Sequence, residues 1–158
     1  MARARGQDLL LDTARGQPIL NVQVASISHP LAARALEAQA AAHAILRART
    51  NPRFNCHGLT FAARRTAIHE DSEVLKILRS DGYVRVPLAE VLPGDVAVYY
   101  TSESTIDHSA VVVTSPAPPT NVPLVCSKWG VIGPEVIHSA TECLEYAVAD
   151  IRYYRVTP

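Results

Sequence analysis

The chain has 158 residues, no formal net charge and 48% hydrophobic residues, which suits a single domain of ordinary size with a buried core. The charge balance offers no basic field for nucleic acid or an anionic membrane. Three cysteines, Cys56, Cys126 and Cys143, make an odd count that excludes a dense disulfide framework, and none sits in a CxxC pair of the zinc-ribbon kind.

Residues 1–17 are rich in Arg, Gly, Gln and Asp and read as a mobile arm or a short pairing segment. Leu9-Leu10-Leu11, bounded by Asp8 and Asp12, is too short for the apolar core of a signal peptide. The expectation is a soluble protein made in the cytoplasm, with export by a route that needs no N-terminal signal left open. Ile19 to Val24 alternates as a strand would, or lies as an extended arm on the domain. Ser28-His29-Pro30 opens a helix with proline at its first position. That helix is predicted from about Leu31 to about Arg49, with Leu31, Ala35, Ala38, Ala42 and Ile45 along one side. Arg34, Glu37, Gln39, His43 and Arg47 within it exclude a membrane span.

Asn51-Pro52 stops the helix, and Phe54-Asn55 leads into Cys56-His57-Gly58-Leu59. Asn55 has a side-chain oxygen suited to capping a helix that starts at Cys56. Leu59, Ala62, Ala63 and Thr66 would share its inner face while Arg64 and Arg65 point outward. Gly58 would let another chain approach the thiol closely. Asp71-Ser72-Glu73 opens a further short helix, ended by Asp81-Gly82. Strands follow at Tyr83–Val86, at Val96–Tyr100 after the turn Leu92-Pro93-Gly94-Asp95, and from His108 to Val113 or Thr114. Leu124 to Lys128 is the expected antiparallel partner of the His108 strand, Gly130 to Pro134 an irregular crossing, and Ile151 to Val156 a last strand. Helices first and strands after argue for an α+β layer fold on an antiparallel sheet. No repeat or linker interrupts the chain, so one domain over residues 1–158 is expected, with its core from about residue 28.

A cysteine nucleophile needs a base within hydrogen-bond reach and a third group that orients the base. An isolated cysteine is more often a buried small hydrophobe, but Cys56 stands in a polar setting at a helix start, where backbone N–H groups favour the thiolate. His108, entering a β-branched strand, is the candidate base, since such partners are close in space and distant in sequence. His57 diverges from Cys56 by about 100° on a helix and is expected on the rim of the cleft, touching substrate. With a loop centred near Pro118-Pro119, His108 lies opposite about Trp129, and Ser127 shares its face; a slip of one residue selects Lys128 and Cys126 instead. Ser127 can accept a hydrogen bond from the imidazole, Lys128 is donor-only, and Trp129 could shield the pair from water. Asn55, His57 and Trp129 are thus the substrate-side candidates. A metal site from Cys56, His57, His108 and His138 would lack close ligand spacing. Cys126 reads as a packing residue, and a Cys126–Cys143 pair is neither required nor excluded.

These residues resemble the NlpC and CHAP branches of the papain-like cysteine hydrolases. Asn55-Cys56-His57-Gly58-Leu59 is similar to that family's Asp-Cys-Ser-Gly-Leu/Val nucleophile block. Leu92-Pro93-Gly94-Asp95-Val96-Ala97-Val98-Tyr99 resembles its proline-glycine-aspartate block, and His108-Ser109-Ala110-Val111-Val112-Val113 its histidine strand. The ordered trio spans about half the chain. His57 stands where serine is usual, and Ser127 or Lys128 where the family often has His, Asn, Gln or Glu.

The resemblance implies a papain-like fold with Cys56 as nucleophile, His108 as base, an oxyanion held by backbone N–H groups around Cys56, and no cofactor. It implies amide or peptide hydrolysis or acyl transfer. The substrate would be a cell-wall peptide, in the manner of a secreted effector or toxin, or a protein target of a deamidase, protease or acyltransferase. The reading from another class is a non-catalytic binding module that keeps the fold and has lost a complete site.

Overall fold

The computed structural model describes residues 8–142 and 150–157. Its elements in chain order are α1 (Pro30–His43), β1 (Ile45–Ala48), α2 (Cys56–Phe61), α3 (Asp71–Ser80), β2 (Tyr83–Val86), β3 (Val96–Tyr100), β4 (Ile106–Val112), β5 (Leu124–Lys128), β6 (Glu135–Ser139) and β7 (Asp150–Val156). Among the described residues the strands form one seven-stranded sheet in the order β1-β6-β5-β4-β3-β7-β2. Each neighbouring pair is antiparallel. The α+β class and the antiparallel sheet are therefore as expected. No helix among the described residues is long and apolar enough to cross a membrane.

The sheet is covered on both faces, and side-chain alternation sorts its residues between them. One face presents Val96, Val98 and Tyr100 of β3, which pack with Val74, Ile77 and Leu78 of α3 and with Ile19. Farther along that face, Val111, Cys126 and Ile137 meet Phe54 and Leu59 at α2. The other face holds Ala97, Tyr99, Ala110, Val112, Val125 and Tyr153, and farther along, Trp129 and Val136 meet Ala40 of α1 and Ala44 just after it. The α3 helix has acidic Asp71 and Glu73 in its first turn and basic Arg79 in its last, matching the helix dipole at both ends.

Several expectations along the chain are corrected, and one alternative is decided. The first helix ends at His43, not near Arg49, because Ala44 turns extended at φ −146°, ψ 172°. Ile45 to Ala48 then becomes the edge strand β1, paired with β6. The buried side of α1 carries Ala33 and Ala40, while Leu31 is 81% exposed. Ile19 to Val24 is an extended arm rather than a sheet strand, joined to the rest by an isolated bridge between Val22 and Ala67. The helix at Cys56 stops at Phe61, and Ala63 and Arg64 both take positive φ (48° and 65°). Arg64 stays exposed on its outer side, as expected, while the turn lets its guanidinium reach Glu135 of β6. The strand β6 was not anticipated; it pairs with β5 over its whole length.

Candidate active site

Asn55 is in extended conformation and caps α2, its Oδ1 accepting from the Gly58 N–H at 2.9 Å. The same oxygen accepts from the Ile68 N–H at 3.1 Å, and Nδ2 donates to the Ile68 carbonyl at 2.6 Å. The amide thus ties the start of α2 to the Ala67-Ile68 segment. At 6% exposure it is committed to structure, so the expected substrate contact of Asn55 is replaced by the capping role. Gly58 serves the same junction. A Cβ on it would stand 1.8 Å from the Thr66 carbonyl oxygen, so its missing side chain admits the protein's own backbone rather than another chain.

His57 is buried at 4% exposure, not on a rim. Its Nδ1 lies 2.8 Å from Ser109 Oγ. Ser109 donates to Thr60 Oγ1 at 3.0 Å, and Thr60 donates to the Cys56 carbonyl at 3.0 Å. A carbonyl only accepts, which fixes the direction of the whole chain. Ser109 has spent its proton on Thr60 and so accepts from His57, whose proton sits on Nδ1. Burial pushes the His57 imidazole down to about 4, helped by His69 and opposed by Asp71, so the ring is neutral.

Cys56 is the first residue of α2 and is 4% exposed. Burial pushes its thiol up to about 11, against hydrogen bonding to the sulfur from the backbone N–H groups of Ser109, His57 and Cys56 itself and the charge of Lys128. A helix of six residues has a small macrodipole, so these specific donors and the one cation are the main groups that favour a thiolate.

The site straddles the sheet. Ser109 faces α2, and alternation sends its neighbour His108 to the opposite face, where its ring lies edge-on to Tyr99 at 5.1 Å between centroids. The β4–β5 pairing ends at Ala110 and Ser127; past it the Ser109 N–H reaches the Cys56 sulfur, so the thiol meets β4 at its unpaired edge, one residue from His108, while α2 itself lies on the face opposite that ring. Ala110 pairs with Ser127, the register expected from the loop midpoint, so Ser127 shares a face with His108. It is a diagonal neighbour of His108 on that face, about 7–8 Å away between backbones, and its hydroxyl bonds to His138. His108 is fully buried; burial, with His57 and His138 nearby, drives its pKa well down. Trp129 is also fully buried, against Ala40 and Val136, which makes it a packing and shielding residue rather than a substrate contact.

The sequence reading missed the partner of Ser127. Ser127 Oγ lies 2.8 Å from His138 Nε2, and His138 Nδ1 lies 2.8 Å from the Ser139 carbonyl. The carbonyl makes Nδ1 the donor. Burial lowers the His138 pKa, so the ring is neutral and its Nε2 accepts the Ser127 proton. Ser127 keeps its lone pairs to accept from a further donor on the His108 face. The signal for His138 was the run Val136-Ile137-His138 after Gly133-Pro134, a histidine inside a short β-prone stretch.

A second missed group lies on the α2 face. Glu135, 2% exposed, receives both Nε and NH2 of Arg64 at 2.9 and 2.6 Å, the guanidinium of Arg47, and the Cys126 thiol at 3.4 Å. Cys126 is a free, buried thiol, held at about 12 by burial and by Glu135. Cys143 lies outside the described residues. His29, His43 and His69 are exposed. Among the described residues no three His, Cys, Asp or Glu side chains converge as a metal site. A concavity of about 830 Å³ opens at the other end of the sheet, lined by Val86, Leu88, Ile151 and Tyr153, and does not include Cys56.

No family model, no curated protein and no solved structure matches the chain.

Proposed function

We propose that the chain is a papain-like cysteine hydrolase of the NlpC or CHAP type that cleaves amide or peptide bonds, with Cys56 as nucleophile and His108 as base. The observation that carries this reading is the environment of the Cys56 sulfur, where the N–H groups of Cys56, His57 and Ser109 converge beside the strand residue that follows His108. Such donors stabilise the negative charge that develops on sulfur as its proton leaves, and N–H groups at a helix start are suited to an oxyanion in the tetrahedral intermediate.

The thiol is raised and the imidazole lowered by burial, so the resting pair is neutral on both sides. The proton leaves sulfur only as attack proceeds. Sγ bonds to the carbonyl carbon, the thiol proton passes to His108, and the C–N bond breaks as His108 returns that proton to the leaving amine. Water then cleaves the thioester, giving up a proton to His108 and releasing the acid and the free thiol. Ser127, with its own proton given to His138, is the acceptor that would orient His108 across the face they share. Because His108 is neutral well below pH 6.5, the acid limb of activity belongs far under the ordinary histidine range.

The substrate in this reading is a cell-wall peptide or a protein, and delivery as an effector or toxin fits the wall. Incubation of purified peptidoglycan with wild type and Cys56→Ala tests it. Fragments released by the wild type alone support the wall reading, and their absence turns the question to protein substrates. The burial of the Cys56 thiol favours one second reading, a non-catalytic binding module of the same fold. It predicts that no amide substrate is turned over and that His108→Ala leaves the reactivity of Cys56 unchanged.

A further inference from the structure

Lys128 is 0% exposed, and an ammonium is rarely taken so far from water without a carboxylate. Its Nζ instead donates to three backbone carbonyls, those of Gly130 at 2.7 Å, Val131 at 2.8 Å and Gly133 at 3.0 Å. Three donors meet three acceptors, so the group is fully hydrogen-bonded. No carboxylate among the described residues forms an ion pair with it, and its positive charge is uncompensated at contact range. The cage is tightly built: a Cβ at Gly133 would stand 2.0 Å from the Trp129 carbonyl oxygen, so the loop closes over the ammonium only with glycine there.

The charge sits beside the nucleophile. Nζ lies 5.4 Å from the centre of the Phe54 ring, two residues before Cys56. Alternation from Ser127 puts Lys128 on the α2 face, and the β4–β5 register, continued one step past Ala110 and Ser127, sets it across from Ser109. Ser109 is the strand residue whose N–H is directed at the Cys56 sulfur.

The geometry points to Lys128 as a positioning residue whose caged ammonium stabilises the negative charge that develops on Cys56 during attack. The inference rests on Cys56 being the nucleophile and goes beyond it by naming the cation that a six-residue helix cannot replace. The other charged and titratable groups around Lys128 do not take this part. From β6, Glu135 is engaged by Arg64 and by Arg47 of β1. Cys126 of β5 donates to Glu135, and His57 of α2 is neutral. His108 of β4 faces the other side of the sheet. Burial brings Lys128 down to about 8, against the pull of Cys56 and Glu135, so its charge is present at pH 7 and fades above pH 8.

Alkylation of Cys56 by iodoacetamide, followed site by site with mass spectrometry, tests this in wild type and Lys128→Met. Where the variant keeps the wild-type circular dichroism, Cys56 should react about tenfold more slowly at pH 7, the equivalent of one pKa unit. The difference should shrink towards pH 10 as the wild-type ammonium loses its proton, a dependence that simple loosening of the loop would not give. Equal rates at pH 7 overturn the inference.

Should Lys128→Met not fold, Cys56→Asp and Cys56→Asn are compared, two isosteric side chains differing by one charge. The sequence has two lysines, Lys76 and Lys128, so lysine-selective isotope labelling follows both titrations by NMR. The Lys128 pKa should be higher in the Asp variant by a unit or more, with Lys76 unmoved. Identical Lys128 titrations overturn the inference. Neither arm reads turnover, so a coupled but inactive Cys56 would count against the hydrolase reading alone.

Discussion

His57 donates from Nδ1 to Ser109 Oγ across 2.8 Å, joining the second residue of α2 to the strand that carries His108. The bond is buried and heads a one-way relay through Thr60 to the Cys56 carbonyl. Ser109→Ala removes both the acceptor for His57 and the donor to Thr60. A buried donor left unsatisfied costs about 1–3 kcal/mol, and urea unfolding should show a loss in that range. A loss below about 0.5 kcal/mol would mean that the relay does not hold α2 to the sheet.

Gly58→Ala places a methyl group 1.8 Å from the Thr66 carbonyl oxygen, a backbone atom that cannot rotate away. The expected cost is about 3 kcal/mol, at the upper end of overpacking effects. Thermal unfolding measures it, and a neutral result would contradict the close approach of α2 to the Thr66 segment.

Acid should unfold the protein through two carboxylates. Asp95 is held below the usual range by its hydrogen bonds from Arg155, against burial and with help from the Leu92 N–H. Burial is the largest single influence on Glu135 and raises its pKa, but Arg64, the Cys126 thiol and Arg47 together outweigh it and the net direction is down. A folded pKa below the unfolded one gives stability that is complete above the unfolded values of about 4 and is lost as pH falls through the folded values. Urea midpoints should be flat from pH 7 to 5 and fall steeply below pH 4, and Asp95→Asn should flatten that fall. An unchanged slope in the variant would remove Asp95 from the account.

Much of the sheet was readable because its central strands are β-branched runs with sharp ends. Leu92-Pro93-Gly94-Asp95 marks the start of β3, and the proline cluster between β4 and β5 centres the loop that sets Ser127 on the His108 face. The edge strand β1 was not readable. Ile45-Leu46-Arg47-Ala48 follows an alanine-rich helix and suits helix about as well as strand, and only its pairing with β6 decides the matter. The turn at Ala63-Arg64 was hidden because neither residue advertises positive φ, and with it went the Arg64–Glu135 contact. The divergence of adjacent helix residues was readable for His57, whose Nδ1 is directed at Ser109. Its burial escaped because so short a helix, pressed between the sheet and the Thr66 segment, has almost no outer face.

The most direct measurement is the rate of Cys56 alkylation at pH 7 in wild type and His108→Ala, with Cys126 in the same samples as internal reference. With His108 accepting the thiol proton, its removal should slow Cys56 by tenfold or more, within the reach of general-base assistance, and leave Cys126 unchanged. Equal Cys56 rates in the two proteins would contradict the pairing of Cys56 with His108 on which the hydrolase reading stands.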